Sequence, residues 1–140
     1  MALARRSLLL APIALGVAAC GDRRSDVPAV QAALQQAVES LPAWRGGQIQ
    51  YQDSASAGTT ISGVLVLAGD DRDAVAASLT SVLEAVIRTY VDQPQTRTAY
   101  VRVEGHPEGD RSTRVEAADV VQPSEGANVT TDDLTEHFGL

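Results

Sequence analysis

Between Arg72 and Tyr90, seven apolar residues recur at intervals of three and four: Val75, Leu79, Val82, Leu83, Val86, Ile87 and Tyr90. That spacing puts them on one stripe of an α-helix. A stripe this long has to be buried, so the rest of the chain must supply a matching apolar surface. The flanking segments do so by alternation. Gln48-Ile49-Gln50-Tyr51-Gln52 places Ile49 and Tyr51 on one strand face, and Thr59–Leu67 is apolar enough to be a central strand. Thr98–Glu104 sets Ala99, Val101 and Val103 against Tyr100, Arg102 and Glu104. Arg111–Ala117, less apolar, reads as a fourth strand nearer an edge.

A first helix is expected from Asp26 to about Leu41. Asp26 is placed to cap it, Pro28 is tolerated in its first turn, and Pro42 stops it. Val30, Leu34, Val38 and Leu41 face inward, and Gln31, Gln35, Gln36 and Glu39 face water. Trp44, in the following turn, is expected to plug the core between helix and sheet rather than to stack on a ligand. Thr130–Phe138 reads as a short capped terminal helix stopped by Gly139. At an offset of 45, Ala29-Val30-Gln31-Ala32-Ala33-Leu34 and Ala74-Val75-Ala76-Ala77-Ser78-Leu79 share Ala, Val, Ala and Leu. They read as two duplicated αββ units, or as coincidence between common residues. The expected fold is α+β: a two-layer sandwich, αββαββ, with a four-stranded antiparallel sheet, two helices on one face and a short C-terminal helix.

Met1-Ala2-Leu3-Ala4 leads into Arg5 and Arg6, which are followed by thirteen apolar or small residues, Ser7 to Ala19, and then Cys20. A helix needs about 20 residues to span a bilayer, so this run fits the apolar region of a secretory signal instead. Val17-Ala18-Ala19-Cys20 resembles the lipobox of bacterial lipoprotein precursors, which reads aliphatic, small, small, Cys. The resemblance implies cleavage between Ala19 and Cys20, and a diacylglyceryl group on the Cys20 thiol. Two or more acyl chains hold a protein stably, at about 0.8 kcal/mol per buried CH₂. The alternative is an ordinary signal peptide with Cys20 an incidental thiol. Arg5-Arg6-Ser7-Leu8-Leu9 is similar to the twin-arginine export motif, with Ala4 where that motif carries Ser or Thr. The same arginines would equally serve the general secretory route. The expected organisation is a removed signal over residues 1–19, a lipidated N-terminus and polar tether over 20–25, and a single domain over 26–140.

Removing residues 1–19 leaves 121 of 140, enough for one domain with its own core. The basic residues fall from eleven to nine, all Arg, against eighteen acidic ones, a net of −9. That balance argues against nucleic acid, whose phosphates need a basic footprint, and against an electrostatic hold on anionic lipid. The sole cysteine leaves no thiol for a disulfide once it is acylated.

Two carboxylate-rich stretches invite a metal. Asp70, Asp71 and Asp73 lack the EF-hand spacing and read as a helix cap with an acidic first turn. Glu104, His106, Glu108 and Asp110 alternate with Gly105, Pro107 and Gly109, which favours a solvated hairpin tip. No phosphate loop, HExxH, CxxC or Ser-His-Asp arrangement is present, and His106 and His137 fall in segments expected to be exposed. Neither catalytic residues nor cofactors are expected. The expected role is a non-catalytic binding or accessory module, lipid-anchored on the extracytoplasmic side of the cell membrane, with an envelope protein as partner. The alternatives are a carboxylate-based envelope enzyme or a structural subunit of an envelope complex.

Overall fold

The computed structural model describes residues 24–140. Helix α1 (Val27–Glu39) is capped by Asp26, whose Oδ1 accepts from the Ala29 amide at 3.1 Å. Strands β1 (Trp44–Ser54) and β2 (Gly58–Leu67) form a long antiparallel hairpin. Helix α2 (Arg72–Val91) starts at Asp71, whose carboxylate accepts from the Ala74 amide at 2.8 Å, so the acidic run is a cap and first turn. Then come β3 (Tyr100–His106), β4 (Val115–Glu116), α3 (Ala117–Val120), β5 (Val129–Thr130) and α4 (Thr131–Phe138). A reciprocal Thr130–Asp133 capping box opens α4, and Gly139 at φ 67° ends it.

All seven residues of the α2 stripe are buried. They meet Ile49, Tyr51, Ile61, Leu65, Leu67, Val101 and Val103 from the sheet, and Val30, Leu34 and Val38 from α1. By length and composition α2 could also cross a membrane, but its apolar stripe is part of this core. Trp44 is half-buried against the same cluster, and its indole N–H donates to the Gly47 carbonyl at 3.3 Å.

The α+β class stands; the all-antiparallel sheet does not. The order is β1-β2-β3-β4, and β3 runs parallel to β2, with β5 also pairing β3. The cause is α2: 20 residues at 1.5 Å rise span about 30 Å, close to the roughly 33 Å of the ten-residue β2 it runs back along. The helix therefore returns the chain to the end where β2 began, and the next strand must be parallel. The expected fourth strand, Arg111–Ala117, shrinks to Val115–Glu116. Asp110 draws its start into a turn by accepting from the Ser112 amide at 2.9 Å and the Thr113 hydroxyl at 2.7 Å. Its end is taken by α3, opened by the Glu116–Asp119 capping box. The element order still opens αββαββ, with β3 and β4 antiparallel, and α3, β5 and α4 follow.

Gln31 and Gln35 do not face water. The Gln31 amide donates to the Ile49 carbonyl, and its oxygen accepts from the Tyr51 amide at 2.6 Å. Gln35 Oε1 accepts from the Ile49 amide at 2.8 Å. Two side-chain amides thus stand where a neighbouring strand would be, closing the free edge of β1 against other chains. Gln31→Ala should leave the Ile49 carbonyl and Tyr51 amide unpaired, costing about 1–3 kcal/mol. It should also raise the dimer fraction in sedimentation velocity; Gln36→Ala, on the exposed side of α1, should do neither.

Candidate functional site

Both long helices lie on one face of the sheet, and the other face is polar. Register sets it out in three rows: Gln52–Thr60–Tyr100, Gln50–Ser62–Arg102 and Gln48–Val64–Glu104. Strand alternation forces this, because the partners one residue away (Ile49, Tyr51, Ile61, Val101 and Val103) fill the core. Val64 at 50% and Tyr100 at 47% exposure are the large apolar bodies on this face. Gln48, Gln50, Ser62, Arg102 and Glu104 line a shallow open depression on it. Glu104 faces the Arg114 guanidinium at 3.7 Å, and Arg114 also pairs with Glu116 at 3.0 Å.

Along its outer edge β3 is paired twice, with β5 at Tyr100–Val101 and with β4 at Glu104–Gly105. Arg102 and Val103 between them have no strand partner on that side. A cavity of about 270 Å³ opens there, lined by Arg102, Glu104, Glu116 and Asn128 among others. Amides, carboxylates, a guanidinium and a phenol on a flat sheet can hydrogen-bond and stack; nothing in the arrangement forms a nucleophile–base pair.

Cys20 and Ala19, the lipidation and cleavage residues named from the sequence, lie outside the described residues, as do the rest of the signal and the tether up to Arg23. His106 departs from expectation: it is 7% exposed at the end of β3, with Nδ1 2.7 Å from the Pro107 carbonyl. His137 is exposed and stacks edge-on against Phe138 at 4.8 Å. The Glu104–Asp110 ligand set is not brought together. Glu104 faces Arg114, His106 is buried, and Asp110 holds its own turn, whose donors lower its carboxyl to about 2. Among the described residues no three His, Cys, Asp or Glu side chains are grouped to hold a metal ion.

Ser25, read from the sequence as tether, belongs to the domain. It is 7% exposed, its hydroxyl donates to Asp53 Oδ2 at 2.8 Å, and the Tyr51 hydroxyl lies 2.7 Å away. Beneath this latch Tyr51 packs edge-on against Tyr90, centroids 5.7 Å apart. The Tyr90 hydroxyl donates to the Arg97 carbonyl at 2.7 Å, and burial drives its pKa far above the usual phenol value, so it remains a donor. No sequence pattern flags a lone Ser–Asp pair 28 residues apart.

The Ser25 hydrogen bond lowers the Asp53 carboxyl below its ordinary value. Burial opposes the shift, and Thr59 and the Arg97 charge reinforce it. A carboxyl depressed in the folded state stabilises fully above its unfolded pKa, about 3.9. That contribution is lost as pH falls through the folded value. Thermal melts of Asp53→Asn should therefore depend less on pH below about 4 than those of the parent.

No family model, no curated protein and no solved structure matches this chain.

Proposed function

We propose that the protein is a bacterial cell-envelope lipoprotein, anchored by fatty-acyl groups on Cys20, whose domain acts as a non-catalytic contact module. The open polar sheet face, left bare by both long helices, is the observation that carries the module. Its three rows match a solvated partner surface better than a deep ligand pocket. The carboxylates an enzyme reading would recruit have other work: Asp53 latches Ser25, Asp110 holds its turn, and Asp133 caps α4. The anchor is supported by the Val17–Cys20 pattern and by the sole thiol falling at its last position. The partner is an envelope protein, and the net acidity disfavours nucleic acid.

Two measurements test the proposal. Cys20→Ser should move the protein from the membrane fraction to the soluble one. A photo-crosslinking residue at Gln50 or Arg102 should give protein adducts in the host envelope, and one at Ala32 or Ala77 on the helices should not. Adducts from the helices alone, or from neither surface, would overturn the contact-module reading.

A further inference from the structure

We infer that the domain stands on the bilayer on one particular end, the end of the sheet carrying the Ser54–Gly58 turn, and that the lipid headgroup layer is its partner there. This rests on the lipoprotein reading above and adds to it a direction. Ser25 is pinned inside the fold at the far end of β1, on Tyr51 and Asp53. Five peptide steps separate it from Cys20, a reach of about 17 Å at full extension. Strand β1, with eleven residues, is about 36 Å long. The tether is thus under half the strand's length, so the domain cannot stand on the opposite end of the sheet while Ser25 stays latched.

The topology gathers several elements at the latched end. Helix α1 starts there, because Gln31 sits beside Tyr51 and Gln35 beside Ile49. Strand β2 starts there, and β3 with it, because Thr60 pairs Tyr100. Helix α2 ends there, because Tyr90 reaches Tyr51 and Arg97. The turn between β1 and β2, Ala55-Ser56-Ala57-Gly58, is small and uncharged, so it can approach headgroups without burying a charge. Carboxylates lie at both ends: Asp26, Asp53, Asp92 and Asp132 at the latched one, and two denser groups at the other. Asp70, Asp71 and Asp73 follow β2, and Glu108 and Asp110 follow β3. This orientation sets the uncharged β1–β2 turn against the headgroups. It also leaves the Gln50–Ser62–Arg102 row standing clear of the membrane.

The test uses the acylated full chain in vesicles of phosphatidylcholine and phosphatidylglycerol containing a nickel-chelating lipid. With Cys20 blocked by its acyl groups, a nitroxide is placed at Ser56→Cys or Val91→Cys near the latch, and at Asp70→Cys or Glu108→Cys at the far end. Collisional relaxation by headgroup nickel should be several-fold stronger at Ser56 and Val91. Inserting about twenty Gly/Ser residues after Asp22, a coil of roughly 25 Å, should abolish the contrast while the acyl mass remains. Equal relaxation at both ends of the acylated protein would overturn the orientation alone. A protein with no acyl mass that fails to float with vesicles would overturn the lipoprotein reading, and the orientation with it.

Discussion

Leu83→Ala is expected to lower the stability of the domain by about 2–5 kcal/mol, the usual cost of removing a buried Leu and leaving a cavity. Leu83 has 0% exposure and lies at the centre of the α2 stripe, with Leu79, also at 0%, one turn before it. Against a typical domain stability of roughly 5–15 kcal/mol, the loss is a large share. Two controls on the same helix define the direction of the stripe. Thr80 is half-buried, and its hydroxyl donates back to the Ala76 carbonyl at 2.8 Å, so Thr80→Ala should stay within about 0.5 kcal/mol. Arg72 is exposed, pairs with Asp119 at 3.1 Å and donates to the Arg114 carbonyl at 2.7 Å. Such surface pairs contribute about 0–1 kcal/mol, so Arg72→Ala should also be mild. Denaturant melts of a soluble Asp22–Leu140 protein read all three, and a Leu83→Ala loss no larger than that of Thr80→Ala would contradict the packing.

Gly47→Ala should be of comparable size. Gly47 sits at φ 91°, which costs an L-residue about 1–2 kcal/mol. A Cβ there would also stand 2.3 Å from the Val64 carbonyl oxygen, a backbone atom of the paired strand. Relieving such overlap typically costs a further 1–3 kcal/mol or so. Gly109→Ala provides the comparison, since its φ of 76° carries the strain but a Cβ there meets nothing within 4 Å. The difference between the two losses isolates the steric part. Equal losses would mean that β1 and β2 are not in the observed register.

Elements with a strong one-dimensional signal were legible in the sequence. The α2 stripe, the Asp26 and Asp71 caps, the alternation of β1 and the capped terminal helix all depend on residues a few positions apart. What depended on long-range geometry was not. The parallel β2–β3 pairing follows from the length of α2 rather than from any pattern within the strands. Gln31 and Gln35 look like solvent-facing polar residues because periodicity tracks apolar side chains. A primary amide also carries the donor and acceptor of a peptide group, which suits it to a strand edge. His106 looked exposed between glycines, yet β3 runs through it and Pro107 beside it is buried. The sheet's polar face was readable in outline from Tyr100, Arg102 and Glu104. Its rows required the register that joins them to Gln48, Gln50 and Ser62.

The central claim is that a folded contact module is held at the membrane through Cys20, with its sheet face free. Intact mass spectrometry of the protein extracted from its host's membrane fraction tests this most directly. The account predicts a chain that begins at Cys20 and carries added fatty-acyl mass, and a Cys20→Ser protein absent from that fraction. A membrane-bound Cys20→Ser chain still cleaved after Ala19, or a parent chain with no added mass at Cys20, would contradict it.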